Sequence, residues 1–206
     1  MKTIFIILLS FFFAPKAISS DSTYFIKVHF IFGSRPTNEF KEVEPKWFGG
    51  KYGGHVGIET DSNRVLNFLP RGDFHWFAKS EDRHSAFAVH SIKGFWEMFG
   101  LREEDVKRAS VIIPISIAQK RMLDSISASY LNTTPYDYAF MGMRCGSSTY
   151  EILAKLGLLK QLSYRGTYMK IIYPKKLRKR LYKQAQKKGW KIERYTGTER
   201  RVWKVG

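Results

Sequence analysis

A single cysteine, Cys145, in 206 residues rules out any internal disulfide, so whatever this chain folds into must be held by an apolar core. With 44% hydrophobic residues and the length of one ordinary domain, it has the material for such a core. The start of the chain sets the redox context. Met1-Lys2-Thr3, the apolar run from Ile4 to Phe13 and the small residues Ala17-Ile18-Ser19-Ser20 have the pattern of a secretory signal over residues 1–20, cleaved near Ser19 or Ser20. A retained anchor is the alternative, but Pro15-Lys16 cuts the run well below the roughly 20 apolar residues of a span. The expected location is therefore secreted or periplasmic. Cysteines there are usually paired, and an unpaired one is a free thiol, half of an intermolecular bridge, or an inert core residue.

Charge narrows the partners. The formal net charge is +17, and it is concentrated at the end: residues 174–206 hold thirteen Lys or Arg against Glu193 and Glu199. A stretch of this kind is drawn to anionic polymer, wall material or a membrane surface, with an attraction that weakens in salt. Behind a signal sequence, nucleic acid is the unlikely partner.

Thr23 to Gly33 is rich in aromatic and β-branched residues and predicts a buried strand. Ser34 to Tyr52, broken by Pro36, Pro45 and Gly49-Gly50, predicts a loop. Strands are expected over Gly53–Thr60 and Arg64–Leu69, joined by a turn at Asp61-Ser62-Asn63, and over Ala86–Ile92 and Ala109–Pro114, with Pro114 stopping the last or putting it at an edge. Gly72–Ser85 is expected to be irregular and Gly94–Phe99 a turn. Helices are predicted over Ser116–Tyr130, with Ser116 as cap, from Cys145 to about Leu156 with Gly157 as the stop, and over Lys175–Lys188 between Pro174 and Gly189. Lys191–Tyr195 and Arg201–Val205 are expected to pair as a small hairpin. The sum is an α+β fold: an antiparallel sheet packed against a nucleophile-bearing helix over 21–173, with a basic helix-and-hairpin extension, 174–206, packed on the same domain.

The chemistry gathers at three residues. A thiol at a helix N-terminus, beside Arg144, is expected to be acidified, and the free amides of the first turn can hold an oxyanion. The bland alternative for Cys145 is a buried core thiol at helical spacing with Thr149 and Leu153. His55 stands in Gly53-Gly54-His55-Val56-Gly57, where small neighbours leave room for an approaching group. Asn67 interrupts the apolar run from Val65 to Leu69, where a polar side chain needs a reason. An odd-length turn at Asp61 puts Asn67 on the face of His55, whereas an even one puts Leu66 or Phe68 there. His90 is the competing partner for His55. Gly54, Tyr138 and Gly146 are the expected substrate-binding positions. No metal-ligand spacing occurs among His75, His84 and His90, so neither a metal nor a cofactor is expected. Glu103-Glu104-Asp105 reads as the start of a helical turn.

The run from His55 to Pro70, with Pro135-Tyr136-Asp137-Tyr138-Ala139-Phe140 leading into Cys145-Gly146-Ser147-Ser148, resembles the circularly permuted NlpC-type papain-like superfamily. The likeness extends to its YiiX-like bacterial members and its lecithin:retinol acyltransferase-like branch. It covers about Val28 to Leu156 and leaves out the basic C-terminus. Two departures stand out: Asn67 where many relatives have histidine, and Arg144 and Gly146 flanking the cysteine. The resemblance implies a cysteine hydrolase of the peptidase or amidase kind, with Cys145 as nucleophile, His55 as base and Asn67 orienting it. The implied substrate is an amide bond, with peptidoglycan peptide as the leading candidate. Ester hydrolysis or acyl transfer, and non-catalytic binding of anionic envelope polymer, are the alternatives.

Overall fold

Six strands that alternate between two apolar environments make one antiparallel sheet, and helices cover both of its faces. The computed structural model describes residues 24–46, 48, 54–72, 75–78 and 84–204; the expected signal sequence lies outside the described residues. The sheet strands are β1 (Tyr24–Ile31), β3 (His55–Asp61), β4 (Arg64–Pro70), β6 (Ser85–Ser91), β7 (Arg108–Ile115) and β9 (Lys191–Tyr195), in the order β6-β4-β3-β1-β7-β9. Along β1 the period of two sends Ile26, Val28 and Phe30 to one face and Lys27, His29 and Ile31 to the other. The first face forms the larger core. There Val56, Ile58, Leu66, Phe68, Val111 and Ile113 meet apolar residues of α2 (Ile117–Asn132), α3 (Cys145–Lys155) and α5 (Pro174–Lys188). On the second face Ile31 and Val65 pack under Phe95 and Trp96 of α1 (Ile92–Glu97).

The helix ends follow local chemistry. Ser116 accepts the Gln119 N–H at 3.2 Å while Gln119 returns a bond to the Ser116 amide, a reciprocal cap at the start of α2. Pro174 opens α5, whose missing N–H costs nothing in a first turn, and Gly189 closes it at φ 70°. Residues 103–105 form a single 3₁₀ turn, as their acidic run predicts.

Several expectations need correction. Residues 92–97 are helical: Ser91 caps the Gly94 amide at 3.0 Å, and burial of Phe95 and Trp96 outweighs the glycine that suggested a turn. Residues 34–52 contain a strand, β2 (Ser34–Pro36), and 72–85 contain another, β5 (His75–Phe77), which runs parallel to β8 (Ala139–Met141). A short helix, α4 (Tyr164–Lys170), not among the expected elements, starts at a Ser163 cap that accepts the Gly166 amide. The C-terminal hairpin does not form. β9 instead extends the main sheet along β7, and β10 (Arg201–Trp203) pairs with β2. Arg201 anchors that pairing through Ser34 Oγ (2.8 Å), Glu44 (2.6 Å) and the Pro45 carbonyl (2.9 Å). Pro114 sits inside β7, beyond the last β9 pair at Ile112, where no outer strand asks for its missing N–H.

Candidate active site

The His55 side of the site depends on a one-residue irregularity. The turn at Ser62-Asn63 closes with Asp61 opposite Arg64, and that register alone would carry Phe68 to Gly57. A bulge between Glu59 and Asp61 shifts it, so Asn67 stands opposite Gly57 and shares the face of His55. His55 Nε2 and Asn67 Oδ1 are 3.0 Å apart. The amide cannot be flipped, because its Nδ2 donates to two carbonyls, Val65 (3.3 Å) and Ala88 (3.1 Å). Oδ1 must then accept, so His55 carries its proton on Nε2 and leaves Nδ1 as the basic nitrogen. His90 does not displace Asn67; its Nδ1 accepts from Asn67 Nδ2 at 2.9 Å, behind the pair. The His55 ring lies against Phe95 and Phe99, with centroids 5.7 and 5.8 Å away. Burial pushes its pKa down to about 4, against the pull of the Asn67 bond and with a further push from His90.

Cys145 belongs to the other face. It is 3% exposed, within the core that holds Val56, Phe68 and Tyr150. The Tyr138 hydroxyl and the amides of Val56 and Gly146 are directed at its sulfur. Those groups and the Arg144 charge favour the thiolate, but burial outweighs them and pushes the thiol up to about 11. This reverses the acidification expected from the helix start. The same desolvation holds the Tyr138 hydroxyl well above its ordinary range. Among the described residues no hydrogen bond joins Cys145 to His55. The two meet only through the backbone, since the Val56 amide that faces the sulfur is the one next to His55.

The expected substrate-binding positions fare differently. Tyr138 lies at the sulfur, stacked near Phe68 at 5.2 Å between centroids. The space that Gly54 would give a substrate is already taken: with φ 86°, an added Cβ there would meet the Ile31 carbonyl oxygen at 1.7 Å. Gly146 likewise abuts the backbone of Tyr173 and Pro174, at 3.0–3.2 Å from an added Cβ. Both glycines are consumed by packing.

A second polar constellation escaped the sequence reading. His29 Nδ1 lies 2.7 Å from Ser110 Oγ, and its Nε2 lies 2.8 Å from Glu59. The carboxylate can only accept, so Nε2 carries the proton and Ser110 donates to Nδ1. This has the connectivity of a serine triad but the position of a core network. Ser110 is 3% exposed in mid-strand, and Trp96 stands edge-on to the His29 ring at 4.9 Å. Strand alternation could have placed these three on one face; their pairing required knowing the order of β3, β1 and β7. Among the described residues no group of His, Cys, Asp and Glu could hold a metal ion. No helix among them is long and apolar enough to cross a membrane. No protein-family model, curated protein or solved structure matches this chain.

Proposed function

We propose that this protein is an exported thiol hydrolase with a permuted papain-like, NlpC-type core, which cleaves an amide bond in a peptide, with cell-wall peptide as the candidate substrate. The observation that carries the reading is the fixed tautomer of His55, whose unprotonated Nδ1 is the nitrogen a thiol proton needs. In the proposed reaction Cys145 Sγ attacks the amide carbon as Nδ1 takes the thiol proton. The carbonyl oxygen becomes an oxyanion at the start of α3, near the Gly146 amide. Collapse breaks the C–N bond, and the imidazolium gives its proton to the departing amine. Water, deprotonated by His55, then cleaves the thioester and the thiol regains its proton. Asn67 holds His55 in register throughout.

The resting state is neutral on both sides, with a thiol at about 11 and an imidazole at about 4. Cys145 and His55 also lie on opposite faces of the sheet and meet only at the Val56 amide, so the proposed reaction requires substrate binding to rearrange the start of β3 until Nδ1 reaches the sulfur. Cys145→Ala is expected to abolish release of amine from muropeptides while leaving circular dichroism and Tm close to those of the parent protein. Full turnover in that variant would remove the nucleophile assignment.

One observation favours a second reading, a non-catalytic binder of anionic polymer. The outer face of α5 exposes Lys176, Lys179, Arg180 and Lys183, and residues 152–192 contain no acidic residue. Deleting the C-terminus cannot test this, because α5 buries Leu177, Leu181 and Ala185 in the main core. Replacing the four exposed cations by Gln is the usable variant. Salt-sensitive retention on wall material that is lost there and kept in Cys145→Ala supports the binder.

A further inference from the structure

Arg144 is buried next to the sulfur and is short of partners. It is 7% exposed, and its Nε and Nη2 atoms are buried with no hydrogen bond. These two nitrogens form one edge of the guanidinium, the two-donor fork that fits a pair of oxygens on one acid group. No carboxylate among the described residues pairs with it. Beside the Cys145 thiol it faces aromatic rings, those of Phe140 and Tyr173, centred 5.0 and 4.9 Å away. A desolvated cation in that state is costly unless something completes it. The neighbourhood indicates what: Tyr173, whose ring Arg144 faces, also lines an open cleft with Lys170, Lys176, Lys179 and Arg180, so the nearest opening on the far side of that ring is cationic.

We propose that Arg144 is a substrate-recognition residue whose free fork takes a carboxylate of the peptide beside Cys145, with the cleft at Tyr173 drawing that group in. The role as a substrate site rests on the thiol-hydrolase reading, but the binding itself does not need turnover. A planar carboxylate matches the fork edge to edge, and a peptide substrate supplies one at a C-terminus or an acidic side chain. This ties the choice of arginine before the cysteine to specificity for an acidic or C-terminal position close to the scissile bond.

The test is thermal stability of the full chain in the presence of N-acetylglycine, its neutral isostere N-acetylglycinamide, or inorganic phosphate, at constant ionic strength. N-acetylglycine is expected to raise Tm saturably by about 3 °C, and the amide to leave it unchanged. Arg144→Met should abolish the response and melt no lower than the parent in plain buffer, since it removes an uncompensated cation. Arg144→Lys, which keeps the charge without the fork, should respond weakly, and Cys145→Ala should respond in full. That last arm separates this site from the hydrolase reading: loss of turnover leaves it standing. An equal response in Arg144→Met, no response in the parent, or a larger shift with phosphate than with N-acetylglycine would overturn it. So would a marked fall in Tm or loss of folding in Arg144→Met accompanied by a full response in Arg144→Lys, which would make the residue structural.

Discussion

The two faces of the sheet treat polar groups in opposite ways. Under α1, His29, Glu59, Ser110, His55, Asn67 and His90 are tied into two hydrogen-bonded groups, and the tautomers of His29 and His55 follow from their partners. Against α3, Arg144 keeps two buried nitrogens unpaired, and the thiol is held neutral by burial. One side is finished in the absence of ligand; the other is left for something to complete. A base can be oriented in advance at modest cost, because a neutral imidazole with its bonds made is tolerable in a core. An unpaired cation is tolerable only if it is paired some of the time.

The largest effect that would break this contrast is expected at Asn67. Asn67→Leu takes the acceptor from the buried His55 Nε2 proton and removes the bonds to His90 and to the Val65 and Ala88 carbonyls, at a cost of about 4 kcal/mol by urea unfolding. A cost under about 1 kcal/mol would mean that the network does not act as a unit. Acid should show the next effect. His55 and His29 have pKa values lowered from 6.5 by burial, His55 to about 4, so the unfolded chain binds more protons between those limits. Their contribution is therefore complete above pH 6.5 and is lost as the pH falls towards 4, by up to about 3 kcal/mol for His55. Glu59, held below its ordinary 4.5 chiefly by the His29 bond, adds a loss on further acidification. A flat stability profile from pH 7 to 4 would contradict buried neutral imidazoles. The third effect sharpens the other face. Iodoacetamide should label Cys145 about a hundredfold more slowly at pH 8 than a free thiol, with an inflection near 11. Rapid labelling below pH 8, read by mass spectrometry, would show a thiolate prepared before substrate arrives.

Much of the architecture was legible because it is local. The cap at Ser116, the Pro174 and Gly189 limits of α5 and the aromatic and β-branched composition of β1 are each decided within a few residues. Long-range pairing was not legible: Lys191–Tyr195 looks like half of a hairpin until β7 offers it an open edge. At the candidate site, the polar exception at Asn67 pointed to His55, and the 3.0 Å contact agrees. The acidity of the thiol was misjudged because Arg144 and the helix start are visible in a string of letters and the desolvation around the sulfur is not.

By itself the sequence determined the inventory: one thiol, two histidines that end beside Asn67, an arginine preceding the cysteine, and helices with clear ends. Only the tertiary structure decided how these are used. A bulge of one residue chose Asn67 over Phe68 for the face of His55, and the thickness of the core around Cys145 set its protonation. The reason is range. Capping and propensity act over a single turn, whereas register and desolvation depend on every chain segment that packs around a group.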